Sequence, residues 1–69
     1  MPAALTLTVN GESHRTAAVT VADLVGELGL NPQKVAVERN GEIAPRSQLG
    51  QVALRDGDVL EIVHFVGGG

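Results

Sequence analysis

The sequence predicts an α+β fold, one main helix packed on a small mixed sheet, and three observations carry that prediction. LTLTV (5–9) alternates apolar and polar residues, the pattern of a half-buried strand. VADLVGEL (21–28) sets apolar residues along one helical stripe. VLEIVHFV (59–66) is the longest strand candidate in the chain. A chain of 69 residues holds one domain at most, and at this length folding buries only roughly 60% of the unfolded surface. Cysteine is absent, so neither disulfides nor thiolate metal sites reinforce it. With 43% hydrophobic residues and Phe65 as the one aromatic, the core is expected to be aliphatic.

Taken in order, Leu5, Leu7 and Val9 share one strand face, while Thr6 and Thr8 share the other. Asn10-Gly11 is a two-residue hairpin turn, since both residues tolerate positive φ. HRTAAV (14–19) then reads as the returning strand. In the helix, Val21, Leu24, Val25 and Leu28 fall at i, i+3, i+4 and i+7. Thr20 is its N-cap, Asp23 stands in for the capping-box Glu, Gly29 is its left-handed stop, and Pro32 opposes a restart. Gly26 inside the helix implies a closely packed neighbour. A second hairpin turns at Asn40-Gly41, between Val35/Val37 and Ile43, and Pro45 ends its short strand. SQLGQVAL (47–54) is expected to hold one helical turn, capped by Ser47, closed by Gly50, with Leu49 inward. Asp56-Gly57-Asp58 is a turn stabilised by its Asp side chains, and the last strand follows.

Two hairpins flanking a helix, with the last strand beside the first, is the β-grasp or ubiquitin-like arrangement, with four to five strands. The expected domain is 1–66, followed by a flexible Gly-Gly-Gly tail at 67–69. In the last strand Glu61 is excluded from the core by the cost of burying an unpaired carboxylate. Leu60 and Ile62 therefore face inward, with His64 near the open end of the core. Val63 and Phe65 fall on the outer face, beside the tail. An exposed apolar pair of this kind marks partner docking; a small sheet also exposes some apolar surface without one.

Composition excludes several function classes. Net charge is −3 with five scattered cations, which argues against nucleic acid as a partner. No apolar run reaches the roughly 20 residues that span a bilayer, and the N-terminus lacks a signal-like segment. A cytoplasmic protein without membrane contacts is expected. His14 and His64 are too few for the usual zinc site of three or four ligands. With Ser13 and Ser47 they form no spacing that suggests a triad, so no catalytic residue and no metal site is assigned. His14 is expected on a solvated strand, and Arg46 on the surface. The three terminal glycines supply reach without a Cβ, which suits a tail threaded through a narrow channel. Inert slack is the other reading.

The opening VNGE, the middle VAVERNGEIAPRSQ and the ending RDGDVLEIVHFVGGG resemble the sulfur carrier proteins of thiamine biosynthesis, the ThiS family, across essentially the whole chain. The resemblance implies that Gly69 is adenylated by an E1-like activating enzyme that consumes ATP, and is then converted to a thiocarboxylate by a cysteine-desulfurase relay. Thiazole synthase would receive the sulfur. Gly68 and Gly69 match the family's terminal pair, with Gly67 before them, and the domain itself binds no cofactor. Two alternatives stay open: a carrier for a sister pathway (the small subunit of molybdopterin synthase, or cysteine or methionine assembly), and a β-grasp interaction module whose glycines are idle.

Overall fold

The computed structural model describes residues 4–66. Five strands and one α-helix follow in the order β1 (Leu5–Val9), β2 (Glu12–Thr16), α1 (Val21–Glu27), β3 (Val35–Arg39), β4 (Glu42–Ala44) and β5 (Val59–His64). Short 3-10 segments at Pro32–Lys34 and Arg46–Gln51 join them. The sheet order is β2-β1-β5-β3-β4. β5 runs parallel to β1 and antiparallel to β3, so the last strand occupies the centre. This is the expected mixed five-stranded β-grasp sheet with its single main helix.

Both Asn-Gly turns take the expected form. Asn10 and Gly11 have φ of 50° and 82°, Asn40 and Gly41 of 53° and 83°. Left-handed backbone at both central residues matches the twist of the flanking strands. These turns set the registers Val9↔Glu12 and Arg39↔Glu42. The returning strand begins at Glu12 and ends at Thr16, earlier than HRTAAV suggests, because a two-residue turn starts pairing at once.

Thr20 caps α1: its hydroxyl accepts from Asp23 N at 3.2 Å, and Asp23 Oδ2 accepts from Thr20 N at 3.1 Å. At the other end Leu30 N donates to Val25 O and Gly29 N to Gly26 O, a Schellman closure around Gly29 at φ 77°. Gly26 departs from expectation. A Cβ there would meet nothing within 4 Å, so no element packs close to it. Pro32 does not exclude helical structure either; it opens a 3-10 turn whose N-cap is Asn31.

The inner face of the sheet and the apolar stripe of α1 enclose the core. Leu7, Val21, Leu24, Val25, Val35, Val37 and Leu60 have almost no exposure. Leu49 completes it from the second 3-10 segment, as its inward placement requires. Ser47 is not a cap: it lies inside that segment, which starts at Arg46 after Pro45 and has no side-chain cap. Gly50 likewise lies within the segment, which runs on to Gln51. Leu54 N then donates to Val19 O, and Val21 N to Val52 O, tying this stretch to the entrance of α1.

Candidate functional site: the last strand and the outer sheet face

The site begins with how β5 is held. Its odd-numbered residues present backbone groups to β3, and its even-numbered ones to β1. Thr8 N and Asn10 N accordingly donate to Asp58 O and Leu60 O. β1 ends at Val9, where the chain turns away, and the Asn10 side chain continues the ladder in its place. Asn10 Oδ1 accepts from Ile62 N at 2.7 Å, and Nδ2 donates to Ile62 O at 3.0 Å. Asn40 does similar work at the start of the strand, accepting from Val59 N through Oδ1 at 2.9 Å. Regular pairing ends at His64, short of Val66, although Phe65 N still donates to Lys34 O.

Asp58 anchors the turn leading into β5. It is 5% exposed, and its carboxylate accepts from Arg39 Nε (2.8 Å), Arg55 N (2.8 Å) and Asn40 Nδ2 (3.0 Å). Burial opposes its charge, but these hydrogen bonds and the Arg39 guanidinium outweigh burial and hold its pKa below the ordinary aspartate value. Asp56 serves a separate contact, accepting from Thr6 N at 2.7 Å. Asp58 thus supports the turn through Arg55 N, as expected, and joins it to the second hairpin, whereas Asp56 bonds out of the turn to β1.

Alternation in β5 falls as expected. Leu60 and Ile62 are buried, His64 is exposed at the end of the same face, and Glu61 points out. Val63 and Phe65 are 56% and 48% exposed. Ile43 and Val59 are exposed as well and extend the apolar surface beyond the Val63–Phe65 pair. The signal for Ile43 lies in the turn. A two-residue loop at 40–41 pairs Val37 with Ala44 and Glu38 with Ile43. With Val37 in the core, Ile43 must face out. A shallow depression of about 70 Å³ lies on this face, between Ala36, Val37, Glu38, Ile43, Glu61 and Val63.

The helix side differs in character. His14 is half-buried rather than solvated, and its Nε2 lies 2.8 Å from Glu27 Oε2. Thr16 Oγ1 donates to Glu27 Oε1 at 2.7 Å. The His14 hydrogen bond, then that from Thr16, lower the Glu27 pKa from its ordinary value. A wider concavity of about 350 Å³ opens beside this group, between Val9, Ser13, Leu28 and Leu30, on the face away from Val63 and Phe65. Arg46 donates through Nε to Val35 O at 3.2 Å, so it braces β3. Among the described residues no group of three or more His, Cys, Asp or Glu side chains gathers for a metal. No helix among the described residues is long and apolar enough to cross a membrane. Gly67, Gly68 and Gly69 lie outside the described residues.

Residues 7–69 match the model of the ThiS family. The chain is 58% identical over 64 residues to a thiazole synthase of Paramagnetospirillum magneticum, covering 91% of this chain and 20% of that protein. It thus spans about a fifth of the length of the thiazole synthases it matches. It is 50% identical over 50 residues to the sulfur carrier protein ThiS of Bacillus subtilis, covering 72% of this chain and 76% of that one. The crystal structure of the thiamine biosynthesis protein (ThiS) from Geobacter metallireducens superposes with a TM-score of 0.78 at 33% identity, over 94% of this chain and 100% of that chain. A family match over nearly the whole chain, on a fold it shares with a solved ThiS protein, means that the chain belongs to the ThiS family.

Proposed function

We propose that this protein is a sulfur carrier for thiamine biosynthesis, loaded on Gly69. In this reading an E1-like enzyme binds the domain and ATP, and the Gly69 carboxylate attacks the α-phosphorus, releasing pyrophosphate. A cysteine-desulfurase relay presents a persulfide whose outer sulfur attacks the acyl-adenylate and expels AMP, and a thiol reductant then cleaves the resulting acyl disulfide, leaving Gly69 as a thiocarboxylate. Thiazole synthase then takes the sulfur for thiazole formation. The domain contributes no catalytic residue and no cofactor of its own; ATP is consumed by the activating partner in the cytoplasm. Gly67 and Gly68 thread the narrow approach to each active site, and Val63 and Phe65 dock the domain outside it.

The observation that carries this reading is the family match, which extends through the terminal glycines to residue 69. The Bacillus relative named as a sulfur carrier supports the role. The relatives named thiazole synthase hold a stretch like this chain within a longer polypeptide, which supports thiazole synthase as the acceptor. The geometry fits as well. β5 is held in the sheet as far as His64, and Phe65 N still donates to Lys34 O, beside an exposed apolar face.

Intact-mass spectrometry tests the proposal, after incubation with ATP, the activating enzyme and a cysteine-desulfurase system. We expect a gain equal to replacing one oxygen by sulfur, absent when Gly69 is deleted. Val63→Asp should slow loading without unfolding the domain, because Val63 faces solvent. An unchanged mass with a competent activating enzyme would refute the carrier role and leave the interaction module as the better account.

A further inference from the structure

On the outer face Glu38 and Glu61 stand directly opposite each other across β3 and β5. The hydrogen bonds that bracket them, Asn40 N to Val59 O and Phe65 N to Lys34 O, fix the spacing of the ladder. By that spacing Glu38 and Glu61 form a hydrogen-bonded pair, with Cα atoms about 5.5 Å apart. Like charges in that position repel. Both residues are exposed, and among the described residues neither has a cation within salt-bridge distance. Arg39 is next in sequence but lies on the opposite face, bound to Asp58. Lys34 is four residues along the chain, or about 13 Å at strand rise.

Apolar surface surrounds the two carboxylates. Ile43 is the cross-strand neighbour of Glu38 on the other side, and Ala36 and Val63 form the next pair along the strands. Five of the six residues lining the depression of about 70 Å³, Ala36, Glu38, Ile43, Glu61 and Val63, belong to this arrangement. A chain with net charge −3 also draws cationic partners toward itself.

We propose that this face is recognised by a partner surface that lays an arginine across Glu38 and Glu61 and seats an apolar side chain against Ile43 and Val63. A guanidinium fits better than an ammonium. It offers a planar fork of donors to two neighbouring carboxylates, and its weaker hydration lets it lie against apolar groups. Covering the apolar rim excludes water and strengthens the attraction. The repulsion left open in the free domain is relieved only in the complex. The inference rests on the carrier reading and names the chemistry of its docking face.

The experiment measures calorimetric binding to the adenylating enzyme, at low and high ionic strength, alongside sulfur loading by mass. The proteins are the wild type, Glu38→Gln, Glu61→Gln, the double variant, and Glu12→Gln as an exposed control away from this face. Each single change should weaken binding by about tenfold at low ionic strength, the loss of a charge-assisted hydrogen bond. The double variant should lose less than the product of the two, since one arginine serves both, and its binding should depend less on salt. Thermal midpoints of the variants should equal or exceed that of the wild type, which separates lost recognition from unfolding. If the wild type loads sulfur and the Gln variants bind as it does at both ionic strengths, the arginine proposal is wrong and docking is apolar. If the wild type neither binds nor loads, the carrier reading fails, and this inference falls with it.

Discussion

Replacing Asp58 by alanine tests whether one buried carboxylate holds the approach to the central strand. The residue is 5% exposed and its carboxylate takes three donors at 2.8–3.0 Å from Arg39, Arg55 and Asn40. Hydrogen bonds to a charged group contribute about 1.5–3 kcal/mol each, and breaking a buried pair costs about 3–5 kcal/mol. The Arg39 side chain remains 26% exposed and can turn to water, so a loss of about 2–4 kcal/mol is expected. A chain of 69 residues has about 3–10 kcal/mol in total, so that loss is a large share. It corresponds to a fall in Tm on the order of 10–25 °C. The assay is urea unfolding followed by far-UV circular dichroism, since the chain has neither Trp nor Tyr. pH adds a second axis. Asp58 titrates lower folded than unfolded, so its stabilisation is complete above the unfolded value of about 3.9 and fades as pH falls through the folded value. The wild type should therefore lose stability below about pH 4 more steeply than Asp58→Ala. Asp56→Ala, which loses one exposed hydrogen bond, is the control. Equal losses for the two variants, with parallel acid slopes, would refute the anchoring role.

Asn10→Ala should cost about 1–2 kcal/mol and speed amide exchange at Ile62, because both backbone groups of Ile62 lose their partner; unchanged exchange would count against the bridge. Gly26→Ala should raise stability by about 0.5–1 kcal/mol, read as a higher urea midpoint, since the added methyl meets open space on a helix. Glu27→Gln should flatten the acid limb of the stability curve. Glu27 is depressed in the folded state, and its contribution is lost as pH falls through that depressed value. An acid limb as steep as the wild type's would show that the contact with His14 and Thr16 does not stabilise the fold.

Local chemistry determined most of what the sequence reveals about this protein. The two Asn-Gly turns, the Thr20–Asp23 capping box and the Gly29 stop each depend on residues within a few positions of one another, and all form as read. The alternation in β5 was readable too, because a mid-strand glutamate leaves only one face for the core. Where sequence reading failed, the cause was local at Ser47 and lay in the packing at His14 and Gly26. Ser47 looks like a cap until the segment is seen to start at Arg46 after Pro45. His14 looks solvated until Glu27, from a separate element, bonds it. Gly26 suggested a close neighbour that the packing does not supply. Asn10 serves Ile62 and Asp56 serves Thr6 across separations of 52 and 50 residues. No local pattern encodes such pairings, because an amide or carboxylate in a turn is equally satisfied by water. Only closure of the sheet around β5 brings these groups within reach, and the same closure sets Glu38 against Glu61 on the outer face.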